Sequence, residues 1–217
     1  MTVTTVLFDL DGTLLDSYNL IATAFRHTCR VGLGRELTDQ EVTARWGEHL
    51  RARLAHVAPG SGPDQIEALA ETYSSYYMAH HDELASLFPG IPKMLDALTR
   101  RGCRMGIVTS KWRLPTLHTL RVFDLARFIE VAVCADDVGA RKPAPDPILE
   151  ALRQLAGHPD GALMVGDGVF DIQAARAARV RSVAALWGSR EVDALMAAGA
   201  DYAVASPEGM VALVESG

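Results

Sequence analysis

The sequence has few of the features that mark secreted or membrane-embedded proteins. It contains only three cysteines, Cys29, Cys103 and Cys134, an odd number at wide spacings that argues against a disulfide framework. No apolar run approaches the roughly 20 residues needed to span a bilayer, and no basic segment followed by an apolar one opens the chain. We therefore expect inert core thiols, no membrane partner and a cytoplasmic location.

An excess of positive charge is also missing. The chain has 21 lysines and arginines against 27 aspartates and glutamates, a formal net charge of −6. Nucleic-acid-binding surfaces are usually basic, so no nucleic-acid partner is expected. A site for an anionic substrate would have to supply its positive charge locally, from lysine, a metal ion or backbone amides. Composition leaves the oligomeric state open between monomer and homodimer.

Two familiar motifs are absent. No Gly-x-Gly-x-x-Gly follows the first apolar run, as a dinucleotide-binding fold would require, and the seven histidines show no metal-ligand spacing such as His-Glu-x-x-His. Residues 3–8 lead instead into Asp9-Leu10-Asp11-Gly12-Thr13. An apolar run that ends in two carboxylates predicts a buried strand that delivers acids to the edge of a sheet. In open α/β sheets that edge binds ligands.

The rest of the chain alternates short apolar runs with helical patterns of about ten residues. The further predicted strands are 103–109, 129–134, 162–166, 180–186 and, more weakly, 202–205; the helices between them include 91–100, 148–155 and 171–178. Strands that alternate with helices imply β-α-β units and a parallel sheet. The expected fold class is therefore α/β, with a Rossmann-like, doubly wound parallel sheet.

About eighty residues after the first strand show no strand pattern and are too many for one crossover. Apolar positions in 20–31 fit one helical stripe, Thr38 and Glu41 match a capping box, and 64–81 predicts a long helix. We therefore expect an inserted α-helical cap domain at 16–88, between two segments of the core, 1–15 and 89–217.

Asp9 and Asp11 lie two residues apart, so in an extended chain their side chains would share one face. Two like charges this close repel each other, and a divalent cation relieves the repulsion. The pair therefore predicts a Mg²⁺ site with a carboxylate available as a nucleophile.

Residues 109–111, Thr-Ser-Lys, follow the second predicted strand. A pair of hydroxyls with free amides suits phosphate oxygens. Lys111 has two interpretations, a substrate contact or a solvated lysine at the start of the next helix, and the sequence favours the solvated one.

Further charged groups frame the fourth predicted strand. Asp167 and Asp171 follow it at i and i+4, on one helical face. Lys142 precedes it, in a segment that Pro143 and Pro145 stiffen. If the strands are parallel, these side chains converge with Asp9 and Asp11 on one edge of the sheet.

Four motifs in this order, Asp-x-Asp-Gly-Thr, Thr-Ser-Lys, Lys-Pro-x-Pro and Gly-Asp-x-x-x-Asp, resemble the haloacid dehalogenase-like superfamily, and the insert lies where that superfamily places a helical cap. The resemblance covers 1–15 and 89–217. Within the superfamily, the stretch 106–111 is similar to the phosphoglycolate phosphatase and pyrophosphatase-like members.

The resemblance implies a role for each matching residue. Asp9 would attack phosphorus and become an aspartyl-phosphate, and Asp11 would act as general acid and then general base. Thr109 and the Ser110 amide would hold phosphate oxygens, and Lys142 would neutralise them.

The metal site implied by the resemblance is a Mg²⁺ site. Asp9 and Asp167 would bind the ion, Asp11 would contribute its main-chain carbonyl, and Asp171 would bind directly or through water. One departure from the family pattern lies at Gly168, where serine, threonine or asparagine is common. A glycine removes a possible hydrogen bond to the acids and is expected to weaken metal positioning.

A glycine-containing segment of the insert, residues 44–51, has two interpretations. In capped members of the superfamily such a stretch reaches the substrate, and Trp46, Glu48 and His49 would then set specificity. The other interpretation is an amphipathic helix with exposed arginines.

The expected activity is hydrolysis of a small phosphorylated metabolite, a phosphomonoester, by a Mg²⁺-dependent phosphatase. Inorganic pyrophosphatase remains an alternative. A phosphomutase of the β-phosphoglucomutase type is another, because it keeps all four motifs. A carbon–halogen hydrolase is disfavoured, since it needs the nucleophilic aspartate but not Asp11.

Overall fold

The computed structural model describes residues 2–45 and 47–216. Its contacts define two units: Met1–Asp16 with Leu87–Gly217 form the first, and Ser17–Ser86 form the second. The strands in chain order are β1 (Thr5–Phe8), β2 (Leu15–Asp16), β3 (Ser86–Leu87), β4 (Arg104–Val108), β5 (Val131–Val133), β6 (Ala162–Gly166), β7 (Arg181–Ala185) and β8 (Tyr202–Val204). The helices are α1 (Tyr18–Leu33), α2 (Asp39–Thr43), α3 (Leu50–Val57), α4 (Pro63–Leu84), α5 (Ile91–Arg100), α6 (Arg113–Val122), α7 (Asp146–Gln154), α8 (Val169–Ala177), α9 (Val192–Ala197) and α10 (Pro207–Ser216).

The first unit is built on a six-stranded sheet in the order β5-β4-β1-β6-β7-β8, with all neighbours parallel. The chain fills one half of the sheet outward from β1, then returns to the other side of β1 to build the second half. This is the doubly wound order, in which the direction of winding reverses beside the first strand. The predicted α/β class and Rossmann-like sheet are confirmed, and in sheets of this order ligands bind at the carboxyl ends of the strands beside the reversal, here next to β1.

Burial explains why the apolar residues of β1, Val6 to Phe8, are consecutive and do not alternate with exposed polar ones. All four of its residues are buried, as expected for a central parallel strand. Leu7 lies in one core cluster with Met164 of β6 and with Ile148 and Leu152 of α7. Fully burying a leucine or isoleucine side chain stabilises the fold by about 1.5–3 kcal/mol, so this cluster fixes the sheet against its helix.

Most predicted elements of the first unit are confirmed, with small shifts at their ends. The strand at 162–166 and the helix at 91–100 have the predicted bounds. The strand expected at 129–134 is shorter, Val131–Val133. The helices expected at 148–155 and 171–178 begin two residues earlier.

The second unit, Ser17–Ser86, is helical and contains α1 to α4. Gly34, in the left-handed conformation at φ 63°, ends α1. The predicted capping box is present, since the Glu41 N–H donates to the Thr38 hydroxyl and the Thr38 N–H donates to the Glu41 carboxylate. The core of this unit is an apolar cluster that includes Phe25, Cys29, Val42, Leu54 and Leu69.

None of the helices that the structure describes combines the length and the apolar character needed to cross a membrane. The three cysteines are buried free thiols, as expected from their apolar surroundings.

Candidate active site

Three neighbouring strands deliver polar side chains to the same edge of the sheet. Asp9 follows β1, Thr109 follows β4 and Asp167 follows β6. In register, Phe8 lies beside Ile107 on one side and Val165 on the other, so the three strands end nearly level. The convergence expected from parallel strands is therefore present.

Asp9 is held in place by its backbone, because its N–H donates to the Val165 carbonyl over 2.8 Å. The strand ends at Phe8, and the chain then turns, with Gly12 at φ 83°. The alternation expected to place the Asp9 and Asp11 carboxylates on one face therefore does not apply. The Asp11 carboxylate instead pairs with Lys111, 2.7 Å away.

The acid group at the carboxyl edge consists of Asp9, Asp167 and Asp171, each of which offers a carboxylate oxygen within 4.8 Å of the others. Asp9 Oδ1 is buried and accepts no hydrogen bond from the part of the chain that the structure describes. Three crowded carboxylates with an unsatisfied buried oxygen are a suitable donor set for a hard divalent cation. The residues therefore fit a metal ion, which would supply positive charge to the carboxylates and to a bound anion.

Lys142 supplies the second source of positive charge. Its side chain is 3% exposed, and its ammonium donates hydrogen bonds to Asp171 Oδ1 over 2.6 Å and to the Val108 carbonyl over 3.0 Å. Nζ also lies 3.0 Å from Asp9 Oδ1, an ion-pair distance, although the angle is not that of a hydrogen bond. One buried cation thus bridges two of the three acids.

Burial dominates the electrostatics of the acid group. It raises the pKa of Asp9 from 3.8 to about 7, against the opposing effect of Lys142. The pKa of Asp167 is also raised well above its usual value, by burial and then by the charges of Asp9 and Asp171. Burial alone would lower the pKa of Lys142, but Asp171 and Asp9 outweigh it and the pKa is raised. The raised pKa values show that the lysine holds its proton and that the acids resist losing theirs. The site therefore has too little positive charge to balance all three carboxylates.

Asp171 is positioned by hydrogen bonds to both of its oxygens. Oδ1 accepts from Lys142, and Oδ2 accepts from the Gly168 N–H over 3.0 Å. The Gly168 backbone, at φ −115° and ψ 154°, is open to any residue, so glycine is not required there by conformation. Asp171 lies in the first turn of α8, and this hydrogen bond helps to orient its carboxylate toward the other acids.

Thr13 is a site residue to which the sequence analysis assigned no role. Its hydroxyl is buried and donates to Asp167 Oδ1 over 3.0 Å, which fixes the orientation of that carboxylate. A Cβ on Gly12 would lie 2.1 Å from Asp167 Oδ2, so this close approach requires glycine. The signal in the sequence was the full spacing Asp-Gly-Thr, of which only the acid was given a chemical role.

Trp187 and Gly188 support the same turn. The Trp187 indole N–H donates to the Thr13 carbonyl over 2.9 Å. A Cβ on Gly188 would lie 1.7 Å from the Gly12 carbonyl oxygen, so only glycine lets the two chain segments meet. The contact joins parts of the sequence far apart, and no local pattern predicts it.

The segment after β4 contains Thr109, Ser110 and Lys111. Thr109 is buried, and its N–H donates to the Val133 carbonyl over 3.0 Å. Its Oγ1 accepts the Lys111 N–H over 3.2 Å. The favoured interpretation of Lys111 as a solvated lysine is wrong, since its side chain is 8% exposed and pairs with Asp11. The pairing arises because the turn after β1 directs Asp11 toward β4.

Two of the three residues expected to set specificity, Glu48 and His49, lie in the helical unit. Trp46 is outside the described residues. Glu48 accepts a hydrogen bond from Arg45 over 2.7 Å, and His49 directly precedes α3. Their expected contact with substrate stays a prediction.

A family comparison agrees with this geometry. Residues 6–185 match the model of the haloacid dehalogenase-like hydrolases, and the chain belongs to this family. The family and the site together define a phosphatase enzyme.

Individual relatives are similar over nearly their whole length. A protein of Caldanaerobacter subterraneus that is assigned as the pyrophosphatase PpaX is 36% identical over 202 residues, which are 93% of this chain and 90% of the relative. The pyrophosphatase PpaX of Bacillus pumilus is 32% identical over 98% of this chain and 97% of its own. A solved structure from Lactobacillus plantarum, assigned as a phosphoglycolate phosphatase, superposes with a TM-score of 0.88 at 28% identity and covers 98% of this chain and all of its own.

Proposed function

We propose that this phosphatase hydrolyses a small phosphorylated metabolite through an aspartyl-phosphate on Asp9, with Mg²⁺ as its metal ion. The observation that supports the proposal is the cluster in which Lys142 pairs with both Asp9 and Asp171 beside Asp167. A carboxylate that attacks an anionic phosphate is repelled unless positive charge is fixed nearby. The cluster brings such charge to the proposed nucleophile.

In the first step, an Asp9 carboxylate oxygen forms a bond to phosphorus while the bond from phosphorus to the leaving oxygen breaks. Asp11 gives a proton to that oxygen. In the second step, Asp11 takes a proton from water, the water oxygen attacks phosphorus, and the bond to Asp9 breaks to release phosphate. Asp11 thereby returns to its protonated form.

The remaining residues bind the phosphoryl group. Thr109 and the Ser110 amide are proposed to hold its oxygens, and Lys142 to stabilise the charge of the transition state. Asp9, Asp167 and the main-chain carbonyl of Asp11 are proposed to hold Mg²⁺. Both oxygens of Asp171 already accept hydrogen bonds, which favours a contact through water.

Pyrophosphate is a second candidate substrate, since relatives that match over most of their length are named pyrophosphatase PpaX. A phosphomutase remains the third. The helical insert, 16–88, is proposed to act as a cap that excludes bulk water and macromolecules.

The test is a phosphate-release screen over small phosphate esters, pyrophosphate and a hexose 1-phosphate, with Mg²⁺ present. We expect free phosphate from at least one small substrate, and a covalently phosphorylated protein that is trapped by rapid acid quench. Isomerisation of the hexose phosphate without release of phosphate would favour the mutase. No release from any member of the panel would contradict the proposal.

A further inference from the structure

The site contains a second buried cation that the proposed chemistry does not use. Lys111 Nζ lies 2.7 Å from Asp11 Oδ1, and the side chain of Lys111 is 8% exposed. Only three of the 21 basic residues of this chain are lysines, and two of them, Lys111 and Lys142, lie in this site. The third, Lys93, is exposed on α5.

The backbone fixes Lys111 relative to the phosphate-binding residues. Its N–H donates to Thr109 Oγ1 over 3.2 Å, and its carbonyl accepts the Ala135 N–H over 2.9 Å. The side chain is anchored at its other end by Asp11. Both ends of this lysine are thus held, which is the condition for a selective electrostatic contact.

The two lysines serve different acids. Lys142 lies beside Asp9, where the phosphoryl group is attacked, and Lys111 lies beside Asp11, where the leaving group receives its proton. A leaving group that accepts a proton from the Asp11 carboxyl is therefore close to the Lys111 ammonium, because the two side chains are in contact. A neutral alcohol leaving group gains little from that charge, whereas an anionic one gains a charge-assisted hydrogen bond.

We propose that Lys111 is a specificity-determining residue that selects substrates whose leaving group has a negative charge of its own, either a second phosphate or a carboxylate. This inference rests on the proposed function, because it takes the leaving-group side of the site from the role of Asp11. A lysine suits the task because its ammonium is a compact point charge with three donors, so that it can contact a bound anion while it stays paired with Asp11.

The test compares three substrates of similar size: pyrophosphate, phosphoglycolate and hydroxyethyl phosphate, whose leaving group is neutral. Wild type, Lys111→Met, Lys111→Arg and the exposed control Lys93→Met are measured on each, after thermal unfolding shows that each variant is folded. We expect Lys111→Met to lower kcat/KM for at least one of the two anionic substrates by at least about tenfold more than for hydroxyethyl phosphate. Lys111→Arg should recover part of that difference, and Lys93→Met should behave as wild type.

For each substrate, the loss is the ratio of kcat/KM in wild type to kcat/KM in the variant. Comparing this loss between substrates removes any effect of Lys111 that acts through Asp11 equally on all three. Equal losses on the three substrates would make Lys111 a positioning residue for Asp11 and overturn the inference. The anionic substrate whose kcat/KM falls more in Lys111→Met shows whether the lysine selects a second phosphate or a carboxylate. If wild type releases phosphate from other esters but from neither anionic substrate, the inference is overturned. The phosphatase assignment would then stand. No release from any ester would contradict the proposed function itself.

Discussion

Asp171 Oδ2 accepts the Gly168 N–H over 3.0 Å, so Gly168 supports an acid of the site through its backbone. Glycine cannot add the side-chain hydrogen bond that the family resemblance leads us to expect at this position. A Cβ added at Gly168 would lie 3.3 Å from that same oxygen, close enough for a short polar side chain to contact it.

Gly168→Ser is expected to tighten metal binding. The added hydroxyl would lie close to Asp171, and hydrogen bonds to metal-binding carboxylates commonly change metal affinity by about 10–100-fold. Mg²⁺ titration of activity measures the change, with Gly168→Ala as the control that adds volume without a hydroxyl. Equal metal affinity in the two variants would show that the hydroxyl makes no useful contact.

Asp9→Asn is expected to lower turnover by at least about a thousandfold, because an amide is not a nucleophile. The fold should persist, since the substitution removes one of three closely spaced carboxylates that repel each other. Phosphate release and thermal unfolding measure the two effects. The exposed Asp193→Asn on α9 is the matched control. Activity like that of wild type in Asp9→Asn would remove Asp9 from the proposed role.

Removal of divalent metal is expected to stop phosphate release, and added Mg²⁺ to restore it. The three carboxylates need a cation to bring an anionic substrate close to Asp9. Activity is measured in excess chelator and after Mg²⁺ is returned. Asp167→Asn should require more Mg²⁺ for half-maximal activity. An undiminished rate in chelator would contradict the metal assignment.

Stability in chelator is expected to fall as the pH rises. The folded protein binds a proton at Asp9 more tightly than the unfolded chain does, because burial raises the pKa from 3.8 to about 7. This contribution to the free energy of unfolding is complete below about pH 4 and is lost as the pH rises through about 7. The raised pKa of Asp167 acts in the same direction.

Mg²⁺ should oppose this trend, since it competes with protons for the same carboxylates. An ion at one hundred times its dissociation constant stabilises the fold by about 2.7 kcal/mol. Unfolding midpoints with and without Mg²⁺ at pH 5 and pH 8 should therefore differ more at the higher pH. The same metal-dependent difference at both pH values would contradict this linkage. Asp9→Asn is the control in which the effect should shrink.

His49→Ala and Trp46→Ala are expected to change the relative rates across a substrate panel more than they change the unfolding midpoint. The expectation comes from the family resemblance of segment 44–51, in which a glycine-containing stretch selects substrate. Arg30→Ala on α1 provides an exposed comparison in the same helical unit. An unchanged substrate profile would return the segment to a structural role.

The sequence alone determined the sheet, the helical insert and which acids and lysine form the candidate site. Apolar runs specify buried parallel strands because burial drives their formation, and the acids and lysine in the four motifs needed no structure to be found. Tertiary structure decided which charge pairs with which. Asp11 meets Lys111, and Thr13 meets Asp167, because strands distant in sequence end side by side in the sheet. Such pairings depend on the direction of a turn and on the register of neighbouring strands, and neither leaves a local pattern in the chain.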